Sequence, residues 1–166
     1  MTKILPPPIP HRRREDSRHE IPTRDPFRAD AKPSQPASCS ACGLVFRDGR
    51  WQEGARPPNA VPRLCPACRR IEGRHPAGEV RLSGPFFAAH RQAVLATIRR
   101  VAAREAAGHP LEKVAEIRDE GDAIVAITTG THVARAMGQA LRAAWDGVLE
   151  IEDDDAELGI RVRWSR

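Results

Sequence analysis

Tyrosine is absent from this 166-residue chain, and the remaining aromatic residues are three tryptophans and four phenylalanines. No apolar run approaches the roughly 18 residues that suggest a membrane-spanning helix. The first ten residues are dominated by proline and lack the apolar core and small-residue cleavage site of a secretory signal. We therefore expect neither a membrane segment nor export through the secretory route.

Familiar catalytic motifs are also missing. The sequence has no Gly-x-x-x-x-Gly-Lys-Ser/Thr phosphate loop, no Gly-x-Ser-x-Gly elbow and no His-Glu-x-x-His pair. The polar junction Thr128-Thr129-Gly130-Thr131-His132 either binds a phosphate at a helix N-terminus or is an ordinary helix cap. His90 is predicted to flank a helix at the edge of the core. The sequence thus indicates a protein that is not an enzyme and has no small-molecule substrate.

Only four cysteines are present, and their spacing predicts a metal site. Cys39 and Cys42 form one Cys-x-x-Cys pair, and Cys65 and Cys68 form a second pair after 22 intervening residues. Two such pairs supply four soft ligands for a tetrahedral zinc ion, and Gly43 suits the backbone reversal of a knuckle. Four cysteine ligands leave no open position, so we expect the zinc to be structural. Two disulfides or two unrelated redox pairs are the alternatives, and a metal site favours the reducing cytoplasm.

Charge is distributed unevenly along the chain. Residues 39–111 carry 12 basic and 5 acidic side chains, whereas residues 112–166 carry 7 basic and 12 acidic ones. This separation of a basic region from an acidic C-terminal region indicates a protein that presents one surface to a polyanion. Only three of the 27 basic residues are lysines. Arginine contacts phosphate in a bidentate manner and stacks on bases, although a GC-rich genome enriches arginine as well.

Residues 1–36 are rich in proline and show neither helical nor strand periodicity. They include the basic cluster Arg12, Arg13 and Arg14. This composition predicts a disordered arm. The arm either folds onto RNA when bound or is a solvated tail without a partner.

Residues 37–76 are predicted to form a zinc ribbon whose fold depends on the metal, because so short a segment cannot build a sufficient core. Asp48-Gly49 predicts a hairpin turn. Trp51 either stacks on bases or packs over the knuckles. The arginines of this segment that we predict to contact RNA, in addition to Trp51, are Arg47, Arg50, Arg63, Arg69 and Arg70.

Residues 77–166 are predicted to form a two-layer α+β sandwich with the order β-α-β-β-α-β-β. A first helix starts at Pro85 and ends near Ala107, and a second is capped by Thr129 or Thr131. The acidic turn at residues 153–155 could bind a cation, although a solvated hairpin turn is favoured because the ligand spacing of a calcium loop is lacking. The strands are predicted near residues 79–82, 114–117, 123–129, 148–152 and 159–164.

Several motifs occur in a distinctive order. Cys-x-x-Cys-Gly is followed by Cys-Pro-x-Cys-Arg-Arg-Ile, Pro-Ala-Gly-Glu-Val-x-Leu-Ser-Gly, His90-Arg91 and His132-Val133-Ala134-Arg135. Over residues 36–166 this order resembles a group of small, uncharacterised bacterial zinc-ribbon proteins. That group is similar to the N-terminal region of the archaeal and eukaryotic adaptor that exports the large ribosomal subunit. The chain has two cysteine pairs where the adaptor's region has more, so the resemblance implies ribosome or RNA association rather than export.

The leading prediction is a non-enzymatic, cytoplasmic zinc protein that associates with RNA, with the ribosome or its assembly intermediates as the expected target. The alternative is a zinc-ribbon adaptor that binds a protein partner in transcription or regulation. An enzyme that uses the junction from Thr129 to His132 would need a further cofactor or substrate.

Overall fold

The computed structural model describes Pro33, residues 36–154 and residues 159–166. The predicted arm with Arg12–Arg14 lies outside the described residues, as does Asp155 of the acidic turn. The described part forms three helices and two sheets, and each sheet has its own hydrophobic cluster.

The first sheet belongs to the cysteine-containing segment. Its strands are β1 (Ala37–Cys39), β2 (Val45–Arg47), β3 (Arg50–Gln52) and β4 (Val61–Arg63). β2 and β3 form the predicted hairpin, and the positive φ angles of Asp48 (52°) and Gly49 (78°) are those of the two-residue turn that Asp-Gly favours. β4 pairs in parallel with β1 and so completes a sheet of order β3-β2-β1-β4, where the sequence predicted only an irregular return.

A short helix, α1 (Pro66–Gly73), follows β4 and was not predicted from the sequence. Cys65 is its N-cap in extended conformation, and Pro66 provides a fixed φ at the first helical position. The helix ends at Arg74, whose left-handed φ of 54° turns the chain so that the N–H of His75 reaches the carbonyl of Arg70 at 3.0 Å. We refer to residues 36–74, the first sheet together with α1, as the four-cysteine module.

The second sheet confirms the predicted order β-α-β-β-α-β-β and supplies the strand order that the sequence did not. Its five strands are arranged β6-β7-β5-β9-β8, with β5 parallel to β9 and every other pair antiparallel. The elements are β5 (Gly78–Ser83), α2 (Pro85–Gly108), β6 (Val114–Asp119), β7 (Ala123–Thr128), α3 (Thr131–Trp145), β8 (Val148–Asp154) and β9 (Gly159–Ser165).

Both long helices pack on one face of this sheet. In the strand register Val80 lies opposite Ala126 and Val162, so these side chains share a face. All three belong to a buried cluster that also contains apolar residues of α2 and α3. On the other face Val125 is buried between Arg81 and Arg118, which lie directly opposite it on the two neighbouring strands. The stems of long arginine side chains can cover apolar surface in this way.

The predicted cap of α3 is wrong. The N-cap residue is Gly130, which has no side chain to offer. Thr129 is buried, and its hydroxyl donates to the carbonyl of Leu111 at 2.7 Å. The carboxylate of Glu112, from the preceding connection, accepts a hydrogen bond from the Val133 N–H at 3.0 Å and takes over the capping role.

His90 occupies a non-helical position (φ −121°, ψ 24°) near the start of α2. Its ring stacks on Phe86, and its Nδ1 lies 3.0 Å from the carbonyl oxygen of that residue. These contacts fit the predicted position at a helix flank. Among the described residues, neither α2 nor any other helix combines the length and apolarity needed to cross a bilayer.

Gly138 allows α3 to approach the sheet closely. A Cβ atom at this position would lie 2.6 Å from Val162 Cγ1 and 2.9 Å from Leu149 Cδ1. We expect Gly138→Ala to lower the free energy of unfolding by about 1–3 kcal/mol, because the buried, stiff valine cannot move aside. Urea denaturation measures this change.

Gly108→Ala is the matched control, because a Cβ atom at Gly108 meets nothing within 4 Å. It should leave stability unchanged or raise it slightly, as alanine replaces glycine in a helix. Equal changes in the free energy of unfolding for Gly138→Ala and Gly108→Ala would contradict the close approach of α3 to the sheet.

Candidate metal centre

The four cysteines come together in one cluster. Their sulfur atoms all lie within 4.8 Å of one another, and all four residues are free thiols. Cys42 Sγ and Cys65 Sγ are 3.7 Å apart. The edge of a tetrahedron with Zn–S bonds of about 2.3 Å is about 3.8 Å, whereas a disulfide bond is about 2.05 Å long. The geometry therefore suits a shared metal ion and not a pair of disulfides.

The first knuckle forms where β1 ends. The N–H of Cys39 donates to the carbonyl of Leu44 at 2.7 Å, and the N–H of Gly43 donates back to the carbonyl of Cys39 at 2.9 Å. Gly43 has a φ of 76°, in the region that side chains disfavour. The glycine thus makes the backbone reversal that its position after Cys42 predicted.

The second knuckle is the start of α1. The N–H of Cys65 donates to Cys39 Sγ at 3.3 Å and so links the two knuckles. The N–H of Cys68 donates to Cys65 Sγ at 3.4 Å. This N–H group favours the thiolate of Cys65 and so opposes the effect of burial on its pKa.

Without a metal ion the thiols differ strongly in acidity. Burial acts to raise the pKa of Cys39, but the N–H groups of Cys65, Cys42 and Ala41 outweigh it and lower this pKa to about 6. Burial, together with the charges of Cys42 and Cys39, raises the pKa of Cys65 to about 11. Burial raises the pKa of Cys68 as well. Four thiolates this close repel one another, so a divalent cation is needed for all of them to ionise together.

A small apolar cluster supports the knuckles. Phe46 and Trp51 contact each other edge to face with ring centroids 5.6 Å apart, and Trp51 is only 6% exposed. The buried position of Trp51 corrects its prediction as an RNA contact, since its faces are covered by protein and its role is to pack over the knuckles. The half-buried Leu111, from the connection after α2, also packs against this cluster.

Lys113 brings a positive charge to the metal site from outside the four-cysteine module. Lys113 lines the same cleft as Cys42. Burial acts to lower the pKa of Lys113, but the hydrogen bond to Cys42 and the charges of the cysteines outweigh it, so the pKa is raised. Lys113 therefore remains a cation beside the thiolates and offsets part of their negative charge.

The junction after β7 holds this lysine in place. Thr129 accepts a hydrogen bond from the Lys113 N–H at 2.9 Å through its hydroxyl, and its own N–H donates to the Lys113 carbonyl at 2.9 Å.

The start of α3 is closed by Glu112. A Cβ atom at Gly130 would lie 2.0 Å from a carboxylate oxygen of Glu112. The Glu112 carboxylate already accepts a hydrogen bond from the Val133 N–H at this helix N-terminus, so a phosphate that binds here would compete with the carboxylate. The junction is therefore a structural clasp for residues 111–113.

The arginines predicted to contact RNA differ in accessibility. Arg47, Arg50 and Arg63 are exposed, and Arg69 is half-buried. Arg70 is only 9% exposed and donates to the carbonyl of His75 at 3.3 Å, so it supports the end of α1 and presents little charge to solvent. Its burial corrects the prediction of Arg70 as a surface contact.

An open groove of about 530 Å³ lies between α1 and the edge of the second sheet. Its polar lining includes Arg74 and His75 after α1 and Arg118 on β6, and Arg118 forms an ion pair with Glu116 at 3.6 Å. The apolar Ile71, which is 41% exposed, faces the same groove. The groove thus offers positive charge beside one accessible apolar side chain.

No model of a known protein family, no curated protein and no solved structure matches the chain. The resemblance to bacterial zinc-ribbon proteins stays a prediction that rests on the sequence motifs.

Sequence reasoning missed Lys113 and Thr129 as parts of the metal centre. One signal was present, because Lys113 is the single lysine between residues 33 and 166 of a chain whose other basic residues there are all arginines. An ammonium group is a compact donor that fits beside a sulfur atom, whereas a guanidinium is a broad fork.

We expect Lys113→Met to weaken metal binding at the four cysteines by about 10–100-fold, the range for losing a partner outside the ligand shell. Competition with a chromophoric chelator measures the affinity. Lys113→Arg should retain only part of the binding, because it keeps the charge but its broader guanidinium fits less well beside a sulfur atom. Arg100→Met, which removes one exposed charge from α2, is the matched control. Equal metal affinities of Lys113→Met and Arg100→Met would contradict the role of Lys113.

Proposed function

We propose that the protein holds a structural Zn²⁺ ion at Cys39, Cys42, Cys65 and Cys68 and uses the surface around this ion to bind RNA. The ribosome or one of its assembly intermediates is the proposed target. The observation that carries the proposal is the pair of opposed, exposed arginines on the metal-supported hairpin.

The zinc assignment follows from the ligand set. Tetrahedral sites with four thiolates suit zinc or iron, and four protein ligands leave no position for a substrate. The sulfurs join β1 to α1, so one ion would fix both ends of the four-cysteine module. A metal in this position acts on folding and not on chemistry.

The RNA assignment rests on positive charge that the fold concentrates. Arg47 and Arg50 lie directly opposite each other at the end of the β2–β3 hairpin, and both are exposed. Like charges in directly opposed positions destabilise a sheet, and Asp48 between them offsets only part of this charge. A phosphate that contacts both guanidinium groups would relieve the repulsion through charge-assisted hydrogen bonds.

The basic groove beside α1 extends the proposed surface. Arg74 brings positive charge from the four-cysteine module, and Arg118 on the second sheet adds a charge that Glu116 offsets in part. A backbone of successive phosphates would be held by such contacts without sequence being read. The motif resemblance to bacterial zinc-ribbon proteins favours the ribosome among possible RNAs.

A protein adaptor is the second candidate, and the exposed apolar residues favour it. Ile71 is 41% exposed and Ile117 is 38% exposed. Ile117 lies on β6, which is an edge strand of the second sheet. Such a strand can pair with an extended peptide of a partner protein.

Co-sedimentation of the full chain with ribosomes and ribosomal subunits from its own cells, across a salt series, tests the proposal. We expect binding that weakens steadily with salt, because each neutralised phosphate releases counterions. The double variant Arg47→Gln/Arg50→Gln should dissociate at lower salt, with the salt slope reduced by about one for each lost phosphate contact.

Arg99→Gln/Arg100→Gln removes the same charge from an exposed face of α2 and serves as the matched control. If both double variants dissociate from ribosomes at the same salt concentration, the β2–β3 hairpin is not the RNA contact. A protein that stays in the supernatant at every salt concentration would exclude ribosome binding and favour the adaptor.

A further inference from the structure

A second cluster of ligand-type side chains lies at the start of the connection that carries Lys113. Glu105 is in the last turn of α2, and His109 is the residue that ends this helix. Positions four apart on a helix share one face. His132 joins them from the first turn of α3. Each residue has a ligand atom within 4.8 Å of the corresponding atoms of the other two.

The contacts between these side chains are already close. His132 Nε2 lies 3.0 Å from Glu105 Oε2, and the rings of His109 and His132 meet edge to face with centroids 5.4 Å apart. Ligand atoms on a tetrahedral metal with bonds of about 2.0–2.1 Å are about 3.3 Å apart. Small side-chain rotations would therefore bring the three groups to coordination distance. Both histidines are exposed, so such rotations are not hindered by packing.

The carboxylate of Glu105 is held in position by a neighbour. Arg104 donates to Glu105 Oε1 twice, from Nε at 3.1 Å and from a terminal nitrogen at 2.8 Å. These bonds leave Oε2 directed toward His132. The Glu105 side chain is only 12% exposed, whereas that of His132 is 59% exposed. A fixed, sheltered carboxylate beside two accessible imidazoles is typical of metal sites whose ligands are oriented by outer partners.

We propose that Glu105, His109 and His132 bind a divalent first-row transition-metal ion of the Zn²⁺ type. Two imidazole nitrogens and one carboxylate oxygen suit such an ion. Three protein ligands leave a coordination position open toward solvent, where water or an anionic oxygen of a partner can bind. This centre differs from the four-cysteine site, which is closed and made of sulfur alone.

The connection between this three-ligand site and the four-cysteine site would be stabilised by the bound ion. Residues 109–113 run from the His109 ligand to Lys113, which lines a cleft with Cys42. A metal ion bound to His109 and His132 would join the end of α2 to the start of α3. It would thereby brace the connection that carries Lys113.

The experiment titrates Zn²⁺ into the full chain whose four-cysteine site is already occupied, with calorimetric detection. We expect a further binding event in the unaltered protein. His109→Ala/His132→Ala should weaken it by more than about tenfold, and Arg104→Gln should weaken it by about 10–100-fold. His75→Ala/His90→Ala is the control with the same number of histidines removed, and it should retain the event.

If Zn²⁺ binding beyond the four-cysteine site is unchanged in His109→Ala/His132→Ala, the metal binds elsewhere. If the unaltered protein shows no such additional binding, the proposal is overturned. Nitrogen NMR of the histidine rings in the unaltered protein tests the same site without substitution. Zn²⁺ should shift the ring nitrogens of His109 and His132, while shifts confined to other histidines would contradict the assignment.

Discussion

The mutual repulsion of four thiolates is the constraint on which the four-cysteine module depends. Their sulfur atoms lie within 4.8 Å of one another, and burial raises the pKa of Cys65 and Cys68. The surrounding strands have only three residues each, so they cannot impose this arrangement by packing alone. A divalent cation at this position would offset the repulsion for both knuckles at once. The same ion would thereby hold the small sheet and α1 together.

The metal site is also connected to the larger sheet through the residues after α2. Leu111 packs against the apolar cluster under the knuckles, and Lys113 faces Cys42. Both are held by Thr129, which is buried at the end of β7. The polar junction, for which the sequence left a phosphate site and an ordinary helix cap open, thus serves as a clasp between the two parts of the chain. The charged surface of the module gains a fixed position through this clasp.

The features of the fold and of the metal site that could be predicted from the sequence are those that depend on residues close together in the chain. The Cys-x-x-Cys spacing, the Asp48-Gly49 turn and the helical and strand periodicities are short-range signals, and the structure confirms the cluster, the hairpin and the element order. The pairing of β4 with β1 and the roles of Thr129 and Lys113 depend on contacts distant in sequence, which no local pattern encodes. Trp51 and Arg70 were misjudged because residue type indicates what a side chain can bind but not whether it is buried.

X-ray absorption at the zinc edge, on the full chain loaded with a single equivalent of zinc, tests the central claim most directly. The account predicts a first shell of sulfur atoms alone, at about 2.3 Å, as expected for four thiolate ligands. A first shell that contains nitrogen or oxygen in place of sulfur would show that the four cysteines do not form the tight site. That result would contradict the dependence of the module on a closed thiolate centre.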